Sequence, residues 1–473
     1  MSWRGVTNRP DGQRPRRAAM TTWLTVYYTV AAVVLLGAAL LLGAGLAAAA
    51  AAPSPTEPPG SAQPIDLATA LRLAGANNLE LALVRTAEQQ AAAANDAATL
   101  RFVPSLTLGQ SFARRTGADQ QTAGSMLEVD KTLYRRGAAV GLSLELGDAL
   151  FGKLAARQLQ IAAAHDVRAQ RNDTLLAAAE AYFTLVDAVA ERDIAAEAVQ
   201  ISQQYQSELE RAVHIGLTNR SEALRVAVQT QQAQFTLRGA QALVRTAAAS
   251  LDTVLRLDPT LVLTPAEHLV VPPMLVSLDT PLTQLVETAL RARPELKASA
   301  AAVSAAERER TGARYGPLIP SLGAMAVYGQ ARGGPGGLLE PYRASHDDAV
   351  GLSWRFGPGG LFDFSRTEAA EARLARQRVF GEQLRERITQ QVVTALTGAR
   401  TAEAQMHLAR EAVELARHSL QLTLQRREFG VYAVTEVIQA QQDFTRARSS
   451  YAQALARYAK SQYALARAIG RIG

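Results

Sequence analysis

From Lys153 to Ile215 the chain runs for 63 residues without a glycine or a proline. Nothing in that stretch interrupts a self-hydrogen-bonded backbone, and a helix of that length reaches roughly 95 Å at about 1.5 Å per residue. Helices of compact domains average about three turns, so a chain holding this one does not fold as an ordinary globule. Within it Leu175, Ala179, Tyr182, Val186 and Val189 recur at steps of 4, 3, 4 and 3, with Glu191, Arg192 and Asp193 outside the seam. Such a seam packs against another helix as in a coiled coil. A second stretch, Ser365 to Phe429, lacks proline and contains Gly381 and Gly398; it repeats those steps at Leu408, Ala412, Leu415, Ser419 and Leu422.

The two stretches occupy matching places in a longer duplication. "ALRLAGANNLELALV" from Ala70 resembles "LVETALRARPELKAS" from Leu285, and "FVPSLTLG" from Phe102 resembles "LIPSLGAM" from Leu318. "VGLSLELGDALFGK" from Val140 resembles "VGLSWRFGPGGLFD" from Val350, and "LDTVLRL" from Leu251 falls on "LARAIGR" from Leu465. After each long stretch comes a glycine with a glutamate six residues on: Gly216 and Glu222, then Gly430 and Glu436, at one offset of 214. Matches in one order at nearly one offset mark a repeat. The expected organisation is two units, 65–258 and 280–473, joined by a proline-containing connector at 259–279. Each unit predicts about 35 helical residues ending before Pro104 or Pro317, two strands, the long helix, the glycine turn and a second helix of about 35 residues.

In the strands Val140, Leu142, Leu144 and Leu146 alternate with Gly141, Ser143 and Glu145, and Val350, Leu352, Trp354 and Phe356 with Gly351, Ser353 and Arg355. One face is apolar and the other small or charged. A soluble sheet over a buried core has this pattern, and so does a membrane barrel, apolar outside and wet inside. With partners beginning at Leu106 and Leu322 there are about four strands. Four strands leave open edges, which hydrocarbon does not tolerate, and membrane barrels need at least about eight. Crossing a bilayer would require pooling: eight strands from two chains, twelve from three.

The chain has no cysteine, which removes disulfides, thiolate metal sites, cysteine nucleophiles and a lipid-modified N-terminal cysteine. Arg14, Arg16 and Arg17 precede an uncharged run from Ala18 to Ala52. Residues 1–52 are expected to be an export signal cleaved in the alanine tract; the run is also long enough for an uncleaved anchor. Either way the remainder lies outside the cytoplasm. Residues 53–64, rich in proline, read as an extended linker. The net charge of +7 shrinks to 45 basic against 42 acidic residues once the first 52, with five arginines and one aspartate, are removed. The remaining charges are interleaved, so no nucleic-acid partner is expected. No phosphate-cradling glycine loop, zinc spacing or nucleophile motif is present, and His165, His214, His268, His346, His407 and His418 are scattered. No enzyme, cofactor or metal site is expected.

Taken in order, "NNLEL", "PSL", "VGLS", the long helix and the glycine–glutamate turn, with their second copies, resemble the TolC-like outer-membrane efflux and secretion channels over about residues 65–471. The resemblance implies a mostly α fold with β: a homotrimer with four strands per protomer in a twelve-stranded barrel within outer-membrane lipid. A long coiled-coil-like α-helical barrel continues it into the periplasm of a Gram-negative bacterium. It implies a passive exit duct of a tripartite efflux or type I secretion system, opened at its tip by a periplasmic adaptor (membrane fusion protein) and an inner-membrane transporter. The turns gripped by the adaptor would be Gly216, Leu217, Thr218 and Asn219, and Gly430, Val431, Tyr432 and Ala433. Glu222 and Glu436 would stand near the aperture, with Gln439 where relatives often carry a second acid; Arg220 and Arg225 are candidates for latching the closed tip. Phe151, Phe362 and Phe364, just after the strands, are candidates for interfacial aromatics at the membrane boundary or for packing under the barrel rim. The alternative is a periplasmic coiled-coil adaptor or scaffold of such a system, and an adaptor predicts one helical hairpin flanking a lipoyl-like β-domain.

Overall fold

The structure is a computed structural model and describes residues 62–258, 261–266, 274–335, 340–428 and 434–472. The expected signal, 1–52, lies outside the described residues. Strand β1 (Ala62–Ile65) leads into helices α1 (Leu67–Asn77) and α2 (Leu79–Leu100), strands β2 (Ser105–Gln120) and β3 (Met126–Glu145), and helices α3 (Leu146–His214) and α4 (Arg220–Leu255). After β4 (Val262–Pro265) come α5 (Leu282–Ala292), α6 (Pro294–Tyr315), a 3-10 turn at Gly316–Leu318, β5 (Ser321–Pro335), β6 (Arg343–Ser353), α7 (Phe364–Glu428) and α8 (Val434–Ala468). Ala62–Pro64, read from sequence as linker, are strand residues that pair in parallel with β4.

The helices α3 and α7 hold 69 and 65 residues, or roughly 100 Å each. The single 35-residue helix expected at the start of each half is instead two helices. At Asn78 the backbone turns extended, and the Asn78 Oδ1 accepts from the Glu80 and Leu81 amides, which starts a new helix. In the second half Pro294 takes the first helical position, where its missing amide leaves no bond unmade. Helix α3 begins at Leu146 and not at Lys153, because Gly147 lies inside its first turn as a point of close approach. A Cβ there would sit 2.3 Å from the Gly316 carbonyl oxygen. Leu146 is therefore not on a strand. Nor are Trp354 and Phe356: β6 ends at Ser353, Trp354 donates its ring N–H to Leu318 O at 3.3 Å, and Phe356 forms an isolated bridge with Leu361. The turn that follows, with Gly357 and Gly359 at φ of +96° and +76°, takes the chain out of the sheet.

The four long strands form one antiparallel sheet in the order β2-β3-β5-β6. Beyond it the helices lie in two rows of four that share α3 and α7: α2-α3-α6-α7 next to the sheet, then α4-α3-α8-α7. The α3 seam meets the core between α3, α4 and α8, where Leu175, Ala179, Tyr182 and Val189 are buried and Val186 is half-buried. Tyr182, Phe183 and Tyr463 meet there, Phe183 edge-on to Tyr182 at 5.6 Å and tilted against Tyr463 at 5.8 Å between ring centres. The α7 seam faces outward: Leu408, Leu415 and Leu422 are 66%, 71% and 62% exposed. The difference arises because α7 is the last helix in both rows.

Helices α4 and α8 close alike. Arg256 and Leu257 amides donate to Thr253 and Asp252 carbonyls, and Gly470 and Arg471 amides to Arg467 and Ala466 carbonyls. This bond pair wraps a helix end around one left-handed residue, here Gly470 (φ +78°) and Arg256 (φ +57°). An L side chain in that conformation carries a steric cost that glycine escapes, offset in part by glycine's freedom in the unfolded chain. Arg256→Gly is expected to stabilise the fold by about 0.5–1 kcal/mol, read as a higher thermal midpoint; an unchanged or lower midpoint would count against strain at Arg256.

Candidate functional site

At the end of α3 the Gly216 amide donates to Val213 O at 3.1 Å and the Leu217 amide to Ala212 O at 2.8 Å. Gly216 has φ +78°, and nothing lies within 4 Å of where its Cβ would be. The demand on this residue is conformational, not spatial. Leu217 is 76% exposed; Thr218 is half-buried, and Asn219 precedes α4 as its N-cap residue. The second turn, Gly430, Val431, Tyr432 and Ala433, lies outside the described residues. Its flank does not: Val434 is buried against Leu209, Ala223 and Val226, so the two hairpin ends share one apolar cluster.

Glu222 is in the first turn of α4, half-buried, with Arg225 at 3.7 Å. Glu436 is in the first turn of α8, 3.6 Å from Arg426 of α7. Gln439 does not stand alone: its amide donates to Asp443 Oδ1 at 3.0 Å, and Arg446 pairs with the same oxygen at 3.0 Å. Asp443 and Arg426 escaped the sequence reading. The signal for Asp443 was present, since a seven-residue step from Glu436 returns to the same side of a helix. The latch candidate Arg225 is engaged within its own helix by Glu222. Gln442 Nε2 donates to Gln229 Oε1 at 2.6 Å and joins α8 to α4.

In the sheet, register places Leu106, Leu108, Val140, Leu142, Leu144, Leu322, Ala324, Ala326, Val350 and Leu352 on one face. Ser105, Thr107, Gly141, Ser143, Ser321, Gly323, Gly351 and Ser353 share the other. Asp348, on β6 opposite Ala326, is the one charge in the apolar band. Where the band ends, Gly109, Gly137 and Gly329 are register partners in a row across three strands on the small-residue face. A Cβ on Gly137 would lie 2.4 Å from Tyr328 O, and one on Gly329 2.4 Å from Arg136 O. Backbones this close leave no room for a side chain at either glycine. Further along, ion pairs occupy both faces: Arg114–Asp130 at 3.0 Å on one, Arg115–Asp119 at 2.8 Å and Lys131–Asp119 at 2.7 Å on the other. At the helical end of the sheet Trp354, Phe356, Phe362 and Phe364 are 50%, 68%, 71% and 77% exposed, whereas Phe151 packs where a Cβ of Gly312 would be. Among the described residues no helix is long and apolar enough to cross a membrane.

Residues 285–471 match the outer membrane efflux protein family. Protein CyaE of Bordetella pertussis is 30% identical over 193 residues, a span of 41% of this chain and 40% of that protein's length. The fold is similar to that of the CmeC outer membrane channel of Campylobacter jejuni, with a TM-score of 0.73 at 16% identity over 89% of this chain and 90% of that one. The open-state MtrE outer membrane channel of Neisseria gonorrhoeae gives 0.68 at 18% identity over 85% and 88%. Two long hairpins and a four-stranded sheet do not match the single hairpin and lipoyl-like domain of an adaptor. The likeness to the outer membrane efflux protein family thus lies in residues 285–471, and the likeness in fold to solved outer membrane channels extends over most of the chain.

Proposed function

We propose that three copies of this chain close into a passive exit duct across the outer membrane, serving efflux or secretion. The observation that carries this reading is that every level of the fold ends in two open edges. These are β2 and β6 in the sheet, α2 and α7 in the first helical row, and α4 and α7 in the second. The outer helices carry apolar stripes: Leu224, Val228 and Phe235 on α4, 58%, 70% and 75% exposed, and Leu408, Leu415 and Leu422 on α7. Pairing β6 of one copy with β2 of the next removes the strand edges that a bilayer forbids, and the same rotation sets α7 against the next α4. Three copies give twelve strands, with the apolar band toward lipid and the small-residue face lining the bore. Strands β2 and β3 exceed the roughly 9–11 residues needed to cross a bilayer at a tilt. The recurrence of one element order supports a duplicated unit, 65–258 and 280–473, joined at 259–279, and the arginines ahead of the uncharged run 18–52 support an export signal at 1–52.

On this reading the helices stand in the periplasm, and the turns at 216–219 and 430–433 receive an adaptor tied to an inner-membrane transporter. Adaptor binding favours an open arrangement of the hairpins over a closed one, a population shift with no bond chemistry. The test uses the cysteine-free chain: single cysteines at Leu224, Val228 or Phe235 are combined with one at Leu408, Leu415 or Leu422. Oxidation of at least one pair should yield a covalent trimer, and a set that never links chains would overturn the arrangement.

With Asp443 about two turns beyond Glu436, three copies set two levels of carboxylate at the mouth. Glu436→Gln with Asp443→Asn is expected to lower cation preference several-fold in single-channel recordings and to weaken block by multivalent cations. Recordings identical to those of the parent would reduce both acids to solvated surface groups.

A further inference from the structure

We infer that the sheet carries a site for the phosphate of an anionic lipid headgroup, built by Arg136 and Arg332 around Tyr342; this rests on the membrane reading above. Arg136 of β3 and Gln330 of β5 are register partners, and Tyr134 and Arg332 form the next row on the same face. That face is the apolar one, and the two rows lie between its leucine and alanine band and the ion-paired strand ends. The Arg136 Nε and Nη2 donate to Gln330 Oε1 at 3.1 and 2.6 Å. The guanidinium carbon of Arg136 is 4.1 Å from the Tyr342 ring centre, and that of Arg332 is 4.5 Å from the same ring and 5.0 Å from Tyr134.

Two cations thus share one aromatic ring, and among the described residues neither has a carboxylate at ion-pair distance. Arg114, one row further along, has its two-pronged partner in Asp130. The Arg332 Nε is buried with no hydrogen-bond partner. On β6 Asp347 is on the opposite face, level with Val327, and Asp348, on the same face, is level with Ala326, four residues from Gln330; Glu340, just before β6, pairs with Arg343 at 3.6 Å. Stacking on a ring uses the face of a guanidinium and not its edge donors; on Arg136 the Nε and Nη2 go to Gln330, and the Nη1 donors remain. Two like charges held this close call for an anion, and planar paired donors suit a phosphate. The location selects a lipid over a free ion. Aromatic and basic side chains at the end of an apolar band lie at headgroup depth, and Ala138, Leu108 and Val140 just below offer a surface for acyl chains.

The test titrates lipid A, a diphosphorylated glycolipid, into the detergent-solubilised parent and the variant Arg136→Gln/Arg332→Gln, with bound lipid counted by native mass spectrometry. The parent should bind up to one lipid A per chain, the variant at least ten-fold more weakly, and dephosphorylated lipid A should bind weakly to both. Arg136→Lys/Arg332→Lys should recover part of the binding, which a purely structural loss would not allow. Equal binding of lipid A by parent and glutamine variant would overturn the site, as would its displacement by millimolar inorganic phosphate, the mark of a free-anion site. A protein that forms no oligomer in detergent would instead sink the channel reading, whereas an oligomer indifferent to the lipid's phosphate would sink the lipid site and leave the channel standing.

Discussion

Replacing Leu408 and Leu415 together with glutamate is expected to abolish assembly while leaving the protomer folded. Both side chains are mostly exposed in the single chain, at 66% and 71%, so a charge there disturbs little within the protomer. At a seam between copies they would be buried. Losing each buried leucine removes about 1.5–3 kcal/mol, and an unpaired carboxylate in its place opposes contact further. Two such changes weaken each interface by at least about 4 kcal/mol, roughly a thousand-fold. Light scattering in mild detergent should show the mass falling from three chains to one, with helix content by circular dichroism unchanged. A trimer that persists at micromolar concentration would place the outer face of α7 away from any seam.

The second large effect concerns a carboxylate buried without a partner. Asp252 of α4 is fully buried, and neither side-chain oxygen has a hydrogen-bond partner. Burial, reinforced by the charge of Asp258, pushes its pKa up to about 6. The folded chain therefore takes up this proton before the unfolded chain does. Above pH 6 the fold bears a buried charge; as pH falls from about 6 toward 4 that penalty is relieved and stability rises. A carboxyl raised from the ordinary range to about 6 carries a penalty of about 3 kcal/mol when ionised. At the matching position in the second half, 214 residues on, stands Ala466, 2% exposed, so an alanine fits the slot. Asp252→Ala is expected to gain about 2–3 kcal/mol at pH 7.5 and to lose the parent's extra stability on acidification. Thermal midpoints of both proteins from pH 7.5 to 4.5 decide it; a variant that melts lower at pH 7.5 would mean the carboxylate is stabilised by its surroundings.

The elements readable from sequence were those whose cause is local. The length of α3 follows from a stretch free of chain breakers, and Gly216 from the need for a positive φ at a helix end. The alternation over Val140–Leu144 and Val350–Leu352 marks the two sheet faces because strand geometry has a period of two. What escaped depends on distant partners. Gly147 fell outside the stretch chosen for its lack of glycine, and it is a point of contact with Gly316, 169 residues away. Leu146, Trp354 and Phe356 continued the alternation only by chance, past the point where the helix and the glycine turn take over. Pro294 was visible, but an unbroken run of helix-favouring residues on both sides hid the break it makes. The arginines around Tyr342 meet only because β3 pairs with β5, a register that no local pattern encodes. The outward leucines of α7 looked like an internal seam, since spacing reports that a stripe exists and not what covers it.

Strands β2 and β3 continue well past the apolar band, and their hairpin closes with the Gln121 amide on Ser125 O at 2.8 Å. Residues 121–128 are all exposed. A short epitope spliced between Thr122 and Gly124 should therefore be displayed outside the cell, where antibody staining of unbroken bacteria reports export, insertion and orientation in one experiment.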